Sequence, residues 1–109
     1  MKTTYEARLL RVFVGEDLRH EGRPVYELIV ERALDHGLAG ATVMQGVMGF
    51  GHHHKIQTAK ILRIAENLPM VVEITDQEDK IEAFFPEVER LLPEGTVTIE
   101  KVTVHSFSR

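Results

Sequence analysis

Apolar residues recur along this chain at two spacings, alternate positions and helical turns, and the switches between them mark its elements. In Arg8–Gly15, Leu10, Val12 and Val14 share one face, with Leu9, Arg11 and Phe13 on the other, which predicts a first strand. Residues 1–7 are polar and predict a frayed end. Gly15–Arg23 reads as a charged, solvated connection. Pro24, with its preset φ, suits the first position of a helix. Val25, Leu28, Ile29 and Ala33 follow at helical spacing, and Gly37 supplies the stop. Gly40 to Phe50 alternates again, with Ala41, Val43 and Val47 opposite Thr42, Met44 and Met48, and predicts strand two. Lys55–Ile64 reads as the returning limb of a long arm, and Glu66–Pro69 as a turn. Met70–Thr75 is strand three, with Met70, Val72 and Ile74 on one face. Thr75 and Glu78 have capping-box spacing. Ile81, Phe84, Phe85, Val88, Leu91 and Leu92 then predict the second helix, with a kink or a new segment near Phe85 because Pro86 interrupts it. Thr96–Val104 is strand four. Its apolar phase slips between Ile99 and Val102, which predicts a bulge or a change of partner. The tail Ser106–Arg109 reads as loose.

The resulting order is strand, helix, strand, arm, strand, helix, strand. This is a split βαβ repeated: an α+β, ferredoxin-like βαββαβ plan with helices on one face and a long arm between strands two and three. Two helices cover one face only. Leu9, Phe13, Val71 and either Val97 and Ile99 or Val102 and Val104 leave the other face apolar, which predicts self-association. The length of 109 residues suits one domain spanning 1–109, and 43% hydrophobic with 28% charged residues describes an ordinary globule. Without cysteine there is no disulfide, no thiolate nucleophile and no cysteine zinc site, and a reducing cytoplasm is the expected compartment. Met1–Leu10 has no signal-peptide core. The stretch His36–His54 is uncharged but carries five glycines, so a membrane span is not expected. A net charge of -4 and the lack of a basic helix argue against nucleic acid.

The chemistry concentrates in GVMGFGHHHK, residues 46–55. No Asp or Glu occurs from His36 to Ala65, while Lys55, Lys60 and Arg63 are basic. From Glu73 to Glu100 the sign reverses, with nine acids against Lys80 and Arg90. Backbone N–H groups at Gly49 and Gly51 can form an anion-binding nest, with Phe50 between them and His52, His53 and Lys55 adjoining. The expected ligand is therefore a small anion. The alternative is a divalent metal, because in an extended strand His52 and His54 project to the same side. No enzyme is expected. The serines are Ser106 and Ser108 in the tail, and Glu82, Glu87 and Glu89 read as a solvated helix face. No cofactor is indicated.

The segments GATVMQGVMGFG, IQTAKILRI, NLPMVVEITD and KIEAFFPEV, in this order, resemble the PII-like family catalogued as domain of unknown function 190, from about Leu9 to Val104. More distantly, GATV followed by GFG is similar to the PII signalling proteins. The resemblance implies a homotrimer that binds an adenine nucleotide between subunits and acts on a protein target, a membrane transporter or an enzyme, through its arm. It places Thr42 where PII proteins contact adenine, and Gly49, Phe50, Gly51 and His52 where the arm base meets phosphates. The chain departs from PII at Thr75–Asp79, which is acidic where PII carries a glycine- and lysine-rich phosphate loop, and the C-terminal arginine segment has no counterpart. A small anion or a nucleoside monophosphate is thus expected more than a triphosphate.

Overall fold

The computed structural model describes residues 1–59 and 67–109. Four strands form one antiparallel sheet in the order β4 (Ala41–Gln45), β7 (Pro69–Asp76), β1 (Lys2–Gly15), β8 (Thr96–Phe107). Helices α1 (Val25–Asp35) and α2 (Glu78–Leu91) follow β1 and β7 in the chain. This is the βαββαβ plan expected from the pattern. Leu10, Val12, Val14, Met70, Val72 and Ile74 line the helix side of the sheet. They pack with Val25, Leu28, Ile29, Ala33, Ile81, Phe84, Val88 and Leu91 in one core. The alternation that builds the strands and the helical stripes therefore close on each other, and burial of each such side chain is worth about 1.5–3 kcal/mol.

Local chemistry explains the ends. Pro24 sits one residue before α1, at φ -57°. At the other end Leu38 N–H donates to Ala33 O and Gly37 N–H to Leu34 O, each at 3.0 Å, with Gly37 at φ 73°. That is a Schellman stop, as the glycine predicted. The start of α2 differs from expectation. Thr75 stays in β7 and Gln77 is the cap, without a side-chain hydrogen bond. The neighbouring Asp76 is buried instead, and its carboxylate accepts from Ala39 N–H at 2.9 Å and Gln77 N–H at 2.7 Å. Nor does α2 break at Pro86. The helix is one segment, and both Pro86 and Glu82, whose carbonyl loses its partner, face water.

The termini also differ from expectation. Residues 2–6 are strand, paired with 103–107 in unbroken register from Lys2–Phe107 to Phe13–Thr96. Met1 and Ser108 exchange backbone hydrogen bonds at 2.7 and 2.9 Å, and Lys2 lies 5.8 Å from the Phe107 ring centre. Because β7 pairs with β1 only from Arg8 onward, β1 and β8 continue past the sheet as a two-stranded ribbon. The apolar slip in β8 is thus no bulge. Val97 and Ile99 lie opposite Val12 and Leu10 on the helix side, whereas Val102 and Val104 lie opposite Ala7 and Tyr5 on the other. The expected solvated connection contains a tight hairpin, β2 (Arg19–His20) with β3 (Arg23–Pro24), turned at Glu21 and Gly22 in left-handed backbone.

The face away from the helices is less apolar than expected. It carries Leu9, Phe13, Met44 and Val71, but also Arg11, which donates to Glu73 at 2.8 Å and to Glu100. Among the described residues, no helix is long and apolar enough to cross a membrane.

Candidate functional site

Strand two ends earlier than its alternation suggests. At Gly46 the chain leaves the sheet, and the Gly46 N–H donates to Pro69 O at 2.7 Å. Beyond it β5 (Met48–Gly49) pairs with β6 (Gln57–Thr58), and Ala59 N–H donates to Val47 O at 2.9 Å. The arm is therefore a short hairpin of its own. Of the returning limb expected over Lys55–Ile64, Lys55 and Ile56 are not strand, Gln57–Thr58 is, and Lys60–Ile64 lies outside the described residues, as do the bases Lys60 and Arg63.

The arm tip is a turn. His54 N–H donates to Gly51 O at 2.9 Å, closing the chain over His52 and His53, and His54 takes a left-handed φ of 55°. This removes the extended geometry on which the metal alternative rested. His52 and His53 stand edge to face at 6.4 Å, while His54 turns back onto Phe50 at 6.0 Å. Among the described residues no group of three or more His, Cys, Asp or Glu is placed to hold a metal ion. The left-handed residue of the tip is His54 and not Gly49 or Gly51.

Between this hairpin and the end of the sheet lies a cleft of about 410 Å³. Gly49, Phe50, Gly51, His52, His53 and Lys55 all line it. Thr42 does not. It is exposed on the sheet face away from the helices, with Glu73 as its register partner. The opposite wall comes from the end of β1 and from three turns that sequence reading did not join to the site: Phe13 in β1, Asp17 after it, Asn67 before β7, and Glu94 between α2 and β8. The last of these turns contains Gly95. Its φ is 140°, and a Cβ there would lie 2.9 Å from Phe13 O, so the turn can close against β1 only with glycine. Asn67 fixes the neighbouring turn by accepting from Asp17 N–H at 3.2 Å.

The two walls carry opposite charge. The arm brings His52, His53 and Lys55, and the body brings Asp17 and Glu94. One contact spans them: His53 Nε2 lies 2.9 Å from Glu94 Oε1. Phe50 is 67% and Phe13 40% exposed, so two rings present apolar surface to the cleft. Such a space can take a ligand with a flat apolar part and an anionic part. A volume of roughly 300–1,000 Å³ is usual for small-molecule sites.

Comparison with known proteins agrees with this architecture. The UPF0166 protein of Aquifex aeolicus (strain VF5) is 41% identical over 97 residues, covering 89% of this chain and 91% of the relative. The apo form of CPII from Thiomonas intermedia K12, described as a nitrogen regulatory PII-like protein, superposes with a TM-score of 0.63 at 12% identity, over 97% of this chain and 99% of CPII. CPII bound to ADP, AMP and bicarbonate superposes with a TM-score of 0.62 at 17% identity, over 94% of this chain and 91% of that one. At these identities the CPII structures speak to the fold alone, which is PII-like and ferredoxin-like. Residues 7–104 match the family described as "Uncharacterized ACR", domain of unknown function 190, and with nearly the whole chain inside that match the protein belongs to this family.

Proposed function

We propose that this chain is a non-enzymatic, PII-like regulatory protein of the cytoplasm that binds a small anionic ligand, an adenine nucleotide foremost, in the cleft under its arm. In this reading it works as a homotrimer and passes the state of the arm to a protein target, a transporter or an enzyme. The observation that carries the reading is the convergence of Gly49, Phe50, Gly51, His52, His53 and Lys55 on one cleft of suitable size. The CPII structures with ADP, AMP and bicarbonate support the choice of ligand class. His52 and Lys55 would face the phosphate, with the exposed N–H groups around Gly51. Phe50 and Phe13 would flank the base.

Thermal melting against AMP, ADP, ATP, bicarbonate and inorganic phosphate tests this. A ligand held at a hundred times its dissociation constant adds about 2.7 kcal/mol to the folded state, a rise on the order of ten degrees for a domain of this size. Lys55→Ala and His52→Ala should each reduce the rise, and added salt should reduce it further. The Cβ of a residue at 51 would meet open space in the free protein, so Gly51→Val should fold normally and lose binding. No shift with any anion, or shifts that survive all three substitutions, would move the ligand site elsewhere.

A further inference from the structure

We infer that Glu94 determines which anions the cleft accepts, through a latch with His53 that the ligand must displace; this rests on the function proposed above. Glu94 Oε1 lies 2.9 Å from His53 Nε2, and both residues line the cleft. Among the described residues it is the one imidazole–carboxylate contact joining the arm tip to the body, between side chains that are 75% and 46% exposed. An imidazole N–H aimed at Glu94 cannot also donate fully to a bound anion. The carboxylate and the ligand therefore compete for the same donor. The turn that carries Glu94 is pinned from behind, since Gly95 packs against Phe13 O where no Cβ fits. Glu94 can swing its side chain away, but its backbone stays on the cleft wall.

Two consequences follow from the geometry. With the cleft free, the pair clips the arm tip against the α2–β8 turn. With an anion inside, Glu94 remains close by as a negative charge, and Asp17 on the same wall adds a second. Each further charge on the ligand then meets repulsion from Glu94 and Asp17 on the body wall. Two unit charges about 6 Å apart in a water-like medium change an equilibrium by roughly threefold. The wall thus favours a ligand with one compact anionic group over a polyphosphate of the same base.

Glu94→Gln separates these effects, because it keeps the size and polarity of the side chain and removes its charge. At low ionic strength, calorimetric titration of wild type and variant with AMP, ADP and ATP should show tighter binding to the variant throughout. The gain should rise with ligand charge, so that the affinity of ATP relative to AMP increases on the order of tenfold for its two additional charges. An unchanged ATP-to-AMP ratio, or a uniform gain, overturns the selection. Limited trypsin digestion without ligand tests the latch. Cleavage after Lys55 should accelerate several-fold in Glu94→Ala, which removes the acceptor, and equally in His53→Ala, and the double variant should go no further. An unchanged rate in either single variant overturns the latch. If neither protein binds any nucleotide, the function proposed above fails together with the selection, and the latch stands or falls on cleavage alone.

Discussion

Glu87 reads in sequence as part of a solvated helix face, yet its side chain is 20% exposed and carries the polar link between the helices. Arg90 donates to it at 2.6 Å, and Arg32 Nε and His36 Nε2 stand 3.7 and 3.9 Å away. The Arg90 hydrogen bond, opposed by desolvation and helped by the charges of Arg90, Arg32 and His36, holds the Glu87 carboxyl below its usual range. A depressed carboxyl contributes stability above its unfolded value near 4.5 and loses it as pH falls through the lower folded value. Glu87→Gln should therefore lower the melting temperature at neutral pH, and its deficit against wild type should shrink on acidification below about 4.5. A constant deficit across that window would mean the residue acts through packing alone. The single-helix pattern shows the Glu87–Arg90 pair but could not reveal the approach of Arg32 in α1 and of His36 just past its end. Asp76 is similar. Its spacing suggested a cap made by neighbours, whereas burial makes its own carboxylate the acceptor for two backbone N–H groups. Asp76→Ala should leave both donors unpaired and cost about 1–3 kcal/mol for each one that water cannot reach, measurable by urea unfolding.

Both helices and the four sheet strands were legible as elements, because each buries one face and burial imposes a period. What lacked a buried face was illegible. The ribbon residues 2–6 and 105–107 are largely solvated on both sides, so no alternation announced them, and only pairing reveals the strand. The arm failed in the opposite way. Val47 and Met48 prolonged the apolar alternation past Gly46, but they are 76% and 53% exposed, and the sheet had already ended. The site was half legible for the same reason. Its arm wall is one contiguous run of residues, while its body wall is assembled from turns some thirty to fifty residues apart. Pro86 interrupts the hydrogen-bond ladder of α2. An interior proline costs about 3 kcal/mol through a lost hydrogen bond and a clash. Here Pro86 and Glu82 are both exposed residues, and flanking buried residues hold the helix together on both sides. Pro86→Ala restores the bond without removing a core contact, and relaxes the unfolded chain by about 0.4–1 kcal/mol. The net gain should be about 1–2 kcal/mol, a melting rise of roughly 4–8 °C per kcal/mol.

The helices leave one sheet face uncovered. Leu9 and Val71 are half-buried there, Phe13 and Met44 more exposed, and Arg11 with Glu73 and Glu100 satisfies its charges within the same face. A charged ladder already paired inside one chain can be buried against another with less loss than a lone arginine. The face is thus compatible with burial although it is not uniformly apolar. A homotrimer should elute with a mass about three times the 12.4 kDa of the chain in light scattering coupled to size exclusion. Phe13 belongs to this face and also to the cleft wall, so a neighbour packed on this face would border the cleft. Met44 lies on the face but not in the cleft, at 44% exposure. Met44→Glu places a charge where a neighbour would pack while leaving the cleft residues of its own chain untouched. If the neighbour completes the site, this variant should elute at the mass of one chain, keep its helical content by circular dichroism, and lose the nucleotide-induced melting shift. A monomeric variant that still shows the full shift would place the whole ligand site within one chain. A wild type that is monomeric at micromolar concentration would leave the face free for the protein target instead.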